Sequence, residues 1–172
     1  MSAGAEIAAS WQDAVFGVLK EFEVRQVAYV PDAGHTRLIE RAHAEPAMVP
    51  VVLTTEEEGV ALAAGAWLGG ERSVLLMQSS GVGNCVNMFS LIGLCRFPFL
   101  TLVTMRGEWG EFNPWQIPMG RAAPQAFELM GVRTMRAERP EEAAETVRAA
   151  AVIAYEAESA VAVLLSQRLI GA

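Results

Sequence analysis

Short, continuously apolar runs alternate with helix-patterned stretches along this chain, and that alternation constrains the fold more than any other feature. Val27-Ala28-Tyr29-Val30 is the first run; residues 49–53, 73–77, 99–104 and 160–165 follow. A strand that is apolar on consecutive positions has both faces covered, as in parallel strands joined by crossover helices. Residues 10–23 place Trp11, Val15, Val18, Leu19 and Phe22 at helical spacing. Further helices are predicted over residues 36–44, 57–68, 84–95 and 124–130. Another starts at Pro140, with Glu141 and Glu142 where a helix N-terminus favours acids, and runs to about residue 156. A short strand is expected over residues 132–135. These elements predict an α/β fold, a three-layer αβα sandwich with a mostly parallel central sheet. No repeat, low-complexity tract or domain boundary interrupts it, so a single domain over residues 1–172 is expected.

Composition narrows the function. Hydrophobic residues make up 52% of the chain and charged residues only 19%. That is apolar enough to expect either a sheet with both faces covered by helices or some surface buried against another chain. A formal charge of -7, with no cluster of basic residues, argues against nucleic acid as a partner. The apolar stretch over residues 90–103 is broken by Arg96 and Pro98 and falls short of a membrane span. Residues 1–10 lack the basic start and apolar run of a secretory signal, so a cytoplasmic location is expected. Cys85, Cys95, His35 and His43 have no metal-ligand spacing, and His43 reads as surface.

In a parallel sheet, ligands bind beyond the carboxyl ends of the strands. Residues 31–35, 54–57, 78–84 and 105–116 fall there, and the polar and glycine residues concentrate in them. The run Thr55-Glu56-Glu57-Glu58-Gly59 puts adjacent acids between a strand and a small-residue helix. Read locally, such acids suit the helix dipole and face water. Residues 78–83 read as a loop, and Ser79-Ser80-Gly81-Val82-Gly83-Asn84 offers hydroxyls and backbone donors to an anion or a polar ring edge at the start of the helix from Asn84. It matches neither the dinucleotide fingerprint nor a P-loop. Arg106 directly follows a hydrophobic strand, placed to pair with an anion or with Glu108. His35, beside the proline turn after the first strand, reads as a surface or helix-capping histidine or as a candidate proton shuttle. No nucleophile elbow surrounds Ser80.

With these stretches in place, the chain resembles the pyrimidine-binding domain of thiamine-diphosphate-dependent 2-oxo acid decarboxylases, in the branch acting on sulfonated and phosphonated substrates. The resemblance runs from about Trp11 to Leu165. It rests on Val30-Pro31-Asp32, the run from Glu56 to Gly65, Met77-Gln78-Ser79-Ser80-Gly81-Val82-Gly83-Asn84, Arg106-Gly107-Glu108-Trp109-Gly110 and Gln116-Ile117-Pro118-Met119-Gly120. It implies a thiamine-diphosphate-binding fold in which Glu56, nine residues before Gly65, hydrogen-bonds the aminopyrimidine of the cofactor. Glu57 and Glu58 are then helix-end acids. It further implies cofactor contacts from Pro31, Ser79, Ser80, Gly81 and Asn84, with Ser80 and Asn84 also near the substrate. Arg106 is expected to bind the anionic tail of a 2-oxo acid, and His35 remains a catalytic candidate. The implied reaction converts 3-sulfopyruvate to sulfoacetaldehyde and carbon dioxide; phosphonopyruvate is the alternative substrate, and carboligation the alternative outcome. Full-length relatives carry a Gly-Asp-Gly motif that holds magnesium and the diphosphate, and this sequence has none. Mg2+ and the diphosphate are therefore expected on a partner, a beta subunit in a hetero-oligomer. A non-catalytic scaffold or regulatory subunit is the reading from another class.

Overall fold

The structure, a computed structural model, describes residues 10–171; the reading of the extreme N-terminus as lacking a signal falls on residues 1–9, outside the described residues. The strands are β1 (Val24–Tyr29), β2 (Val49–Val52), β3 (Arg72–Gln78), β4 (Phe99–Thr104), β5 (Arg133–Ala137) and β6 (Ala160–Leu165). They form one sheet in the order β2-β1-β3-β4-β6-β5, and every pairing is parallel. Helices α1 (Trp11–Glu21), α2 (Thr36–Ala44) and α7 (Pro140–Ala151) cover one face. The other face carries α3 (Glu56–Leu68), α4 (Ser79–Cys85), α5 (Ser90–Cys95) and α6 (Ile117–Leu129). A short α8 (Gln167–Ile170) follows β6.

The apolar runs explain this arrangement. Every residue of β4 and β6 is buried, which only a sheet covered on both sides provides. On the second face Phe89 lies 6.0 Å from Phe99 and 5.1 Å from Phe127, ring centre to ring centre. Burying each such ring is worth about 1.5–3 kcal/mol. The edge strands are poorer in buried surface. β2 reads Val49-Pro50-Val51-Val52 and leaves Val52 61% exposed, while β5 carries the exposed Arg133 and Arg136.

Three stretches differ from the sequence expectation. The stretch read as a loop, residues 78–83, is instead the last residue of β3 and most of helix α4, which begins as soon as β3 ends. Gly81 and Gly83 each lower helix propensity by about 1 kcal/mol, but a close neighbour requires the first of them. A Cβ on Gly81 would lie 2.4 Å from the Glu56 carboxyl group, and one on Gly83 would touch Met119. The expected helix over residues 84–95 is accordingly split at a turn over residues 86–89, with Phe89 fully buried within it. α6 starts at Ile117 rather than Pro124. Pro118 sits in its first turn, where a missing N–H costs nothing, and Pro124 is carried inside the helix by burial of Gly120, Ala123 and Phe127.

β1 leads to α2 on one face, and its neighbour β3 leads to α4 on the other. The chain diverges between them, and a crevice opens at their carboxyl ends.

Candidate active site

Glu56 is the first residue of α3 and only 8% exposed, whereas Glu57 and Glu58 face solvent. Helix phase separates the three: the first points at α4, and the next two rotate outward. Glu58 caps the helix instead, its Oε2 accepting from the Thr54 N–H at 2.8 Å. α3 can lie this close to the sheet because Gly59 has no Cβ; one would sit 2.4 Å from Leu75 Cδ1. The Glu56 carboxylate rests against the Gly81 backbone and accepts at Oε2 from Asn84 Nδ2 at 2.7 Å. Oε1 accepts no hydrogen bond among the described residues. The helix N-terminus favours its negative charge. The result is a fixed, largely dry carboxylate with one oxygen left for a donor.

Across the crevice a second network joins three strand ends. Asp32 Oδ2 accepts from Thr104 Oγ1 at 2.7 Å and Oδ1 from Gln78 Nε2 at 3.2 Å. Ser80 donates to Gln78 Oε1 at 2.6 Å. Ser80 and Asn84 are exposed on α4, on either side of buried Gly81, and Pro31 is exposed on the loop above β1. Ser79 differs: it is fully buried, and its hydroxyl accepts from the Arg106 N–H at 3.1 Å. It ties β4's exit to α4 and offers nothing to a ligand.

His35 is not at the surface of this crevice. It is fully buried, with Nε2 donating to the carbonyls of Leu102 (3.0 Å) and Met77 (3.3 Å) and Nδ1 unpartnered. The expected proton shuttle is instead a pin holding the turn over Ala33–His35 beneath β3 and β4, because Nε2 is committed to the sheet and no solvent reaches the ring. Burial lowers its pKa from the ordinary 6.5, against the raising influence of Asp32 and the two carbonyls. The unfolded chain then binds the extra proton more readily. Stability is fully present above about pH 6.5 and falls as the pH drops below it. The melting temperature is expected to fall between pH 7 and 5, and His35→Gln, which keeps a donor near Nε2, is expected to flatten that fall. An unchanged slope in the variant would assign the acid sensitivity elsewhere.

Arg106 leaves β4 at the ligand edge, as its place in the sequence suggests, but Glu108 is not its partner. It forms a side-on pair with Glu111, Nε to Oε2 at 2.9 Å and Nη2 to Oε1 at 2.8 Å. Glu108 pairs with Arg136. The loop doubles back at Gly107 (φ +77°) and Gly110 (φ +59°), which returns residue 111 to the guanidinium. α6 seals it from below: a Cβ on Gly120 would lie 1.9 Å from the Arg106 carbonyl oxygen. The loop frames a cleft of about 270 Å3 lined by Asp32, Gly34, Arg106, Phe112 and Gln167, among others.

The structure thus gathers Glu56, Gly81 and Asn84 into one contact set, with Ser80 linking them toward Asp32. Sequence reading missed Asp32, Gln78 and Thr104 as network members, although the first two lie inside motifs it quoted. It also missed Glu111 and Gln167. Cys85 is a core residue, its thiol pushed up to about 12 by burial. No group of three or more His, Cys, Asp or Glu side chains placed to hold a metal occurs among the described residues. No described helix is long and apolar enough to cross a membrane. A cleft of about 420 Å3 at the opposite end of the sheet is lined by Lys20, Arg25, Glu45 and Glu71, among others, whose charges pair off.

No protein-family model matches the chain. Among curated proteins, the sulfopyruvate decarboxylase subunit alpha of Methanothermobacter thermautotrophicus is 36% identical over 154 residues, 89% of this chain and 93% of that protein. The subunit alpha of Methanocaldococcus jannaschii is 32% identical over 88% of this chain and 90% of that one. Phosphonopyruvate decarboxylase from Streptomyces viridochromogenes is 40% identical over 108 residues, which are 62% of this chain but 27% of that protein. Among solved structures, a 2-oxoglutarate:ferredoxin oxidoreductase from Magnetococcus marinus superposes with a TM-score of 0.71 over 94% of this chain and 29% of that one. At 13% identity, that likeness is one of fold alone.

Proposed function

The chain belongs to the family of sulfopyruvate decarboxylase alpha subunits, and from that premise we propose that it is the pyrimidine-binding half of a cytoplasmic, thiamine-diphosphate-dependent carboxy-lyase. Its substrate is 3-sulfopyruvate, and its products are sulfoacetaldehyde and carbon dioxide. The observation that carries this reading is the Glu56 site. A near-buried carboxylate is held at one oxygen by Asn84, is backed by the bare Gly81 backbone, and keeps Oε1 for a ring N–H. Those features fit the aminopyrimidine of thiamine diphosphate, which supplies, when bound, the electron sink for loss of carbon dioxide.

Glu56 would hold the aminopyrimidine through Oε1, its free oxygen, and would supply the carboxylate with which a ring nitrogen exchanges a proton. Asn84 keeps the carboxylate from turning away. Ser80 and Pro31, both exposed at the crevice, would contact the ring, and Arg106 would receive the sulfonate of the substrate. His35 holds the 33–35 turn in position and takes no proton from substrate. Ser79 acts only through the Arg106 backbone.

The diphosphate and Mg2+ are held by a beta subunit. The relatives' designation as subunit alpha supports a partner. So does the apolar surface of the layer carrying the site, where Leu68 is 87% and Leu94 78% exposed. The test is reconstitution with the candidate beta subunit, thiamine diphosphate and Mg2+, followed by carbon dioxide release from 3-sulfopyruvate, phosphonopyruvate and pyruvate. Turnover of 3-sulfopyruvate with the highest kcat/KM, lost when either chain or the cofactor is left out, is the expected result. Preference for phosphonopyruvate would reassign the substrate, and cofactor-independent turnover would overturn the assignment.

A further inference from the structure

Glu111 has no part in the chemistry above, yet it gathers more hydrogen bonds than any other side chain around the cleft. Its carboxylate accepts from Arg106 Nε at 2.9 Å and Nη2 at 2.8 Å, from the N–H of Gly107 at 3.1 Å and of Asn113 at 3.0 Å, and from Gln167 Nε2 at 3.0 Å. Its side chain is 3% exposed. The Arg106 guanidinium above all, with the other donors, holds its pKa down to about 2. A carboxylate so saturated has no lone pair to offer a substrate and no proton to give. It fixes its neighbours.

The edge of Arg106 that it fixes is the side-on edge, Nε with Nη2. The end-on edge, Nη1 with the second hydrogen of Nη2, makes no hydrogen bond among the described residues, and Arg106 lines the 270 Å3 cleft. Gln167, 2% exposed on α8, completes the clamp. Its Oε1 accepts from the N–H groups of Glu108 (2.9 Å) and Trp109 (3.0 Å) while its Nε2 holds Glu111. An unclamped arginine spreads over many rotamers and loses that entropy on binding. A clamped one presents a fork already aimed at a two-oxygen face of an oxyanion.

We propose that Glu111, backed by Gln167, is a positioning residue for substrate recognition: it holds the side-on edge of Arg106 so that the end-on edge receives the anionic tail. The proposal rests on the reading of Arg106 as the tail-binding residue. Because the Arg106–Glu111 pair carries no net charge, recognition depends on the direction of the fork more than on a positive field.

The experiment compares wild type, Arg106→Ala, Glu111→Gln and the double variant in the assembled enzyme. It measures KM for 3-sulfopyruvate, and KM or competitive Ki for the untailed pyruvate. Glu111→Gln is expected to weaken 3-sulfopyruvate on the order of tenfold more than pyruvate, the scale of a lost charge-assisted hydrogen bond. It is expected to add nothing in the Arg106→Ala background. Equal weakening of both ligands by Glu111→Gln, or full additivity with Arg106→Ala, overturns the positioning role while leaving Arg106 in place. An Arg106→Ala effect that ignores the tail removes the premise, and that outcome is visible without Glu111→Gln. If Glu111→Gln does not assemble with its partner, Gln167→Met replaces it, with the same tail-selective weakening expected and a tail-independent effect overturning the proposal.

Discussion

Replacing Glu56 with glutamine is expected to lower turnover of 3-sulfopyruvate by the assembled enzyme about 10²–10⁴-fold, the range for losing a positioned proton-transfer group. The substitution separates chemistry from structure at this position. Glutamine has the shape of glutamate, so its amide oxygen still accepts the Asn84 bond that glutamate accepts at 2.7 Å, and α3 keeps its register. The other end of the side chain changes in kind. An amide N–H cannot accept and return a proton, which the role proposed for Glu56 requires. Circular dichroism and the melting temperature should match wild type, and carbon dioxide release should not. A variant with near-normal turnover would remove Glu56 from the reaction and leave it a helix-start acid.

Adding one methyl group at Gly81 is expected to cost about a hundredfold in kcat/KM, comparable to displacing a catalytic group by about 1 Å. The new Cβ of Gly81→Ala would lie 2.4 Å from both Cδ and Oε1 of Glu56, so the carboxylate must move. Helix propensity pulls the other way, since alanine favours α4 by about 1 kcal/mol over glycine. Activity and stability therefore need not fall together. Gly83→Ala is the control within the same helix. Its Cβ would meet the flexible end of Met119 at 3.4 Å, an ordinary contact, so that variant should keep its activity and gain a little stability. Equal activity losses in the two variants would mean that α4 is merely intolerant of side chains.

The strands were the easiest part to read, for a physical reason. A run such as Phe99–Thr104 is apolar at nearly every position, and β4 and β6 have the predicted bounds because nothing but a doubly covered strand suits them. α2 also begins and ends where its pattern says. α4 was illegible because Gly81, which looks like a loop residue, is there for Glu56, distant in sequence. The resemblance singled out Glu56 from its two neighbours by spacing; the structure adds the helix phase that buries it and leaves them in water. His35 shows the opposite case. Its place beside a proline turn at a strand end looks chemical, yet its burial is set by carbonyls of β3 and β4, 42 and 67 residues away. Glu111 was hidden by Glu108, the nearer acid, until the turns at Gly107 and Gly110 reversed the order of approach.

The rim strand β2 sets how large an object this sheet can become. In a parallel strand, successive residues turn their N–H and C=O groups to opposite sides. The Leu53 N–H meets the Tyr29 carbonyl, so Val51 and Val49 also face β1, while Pro50 and Val52 face outward. Of that outward pair Pro50 has no N–H, and a newcomer strand finds a single donor where it needs a row. At the far rim, the charged Arg133 and Arg136 of β5 oppose a seventh strand by the cost of desolvating them. Lateral addition of strands is thus opposed at both margins, and fibrous polymerisation through edge-to-edge strand pairing is disfavoured by the same two rims.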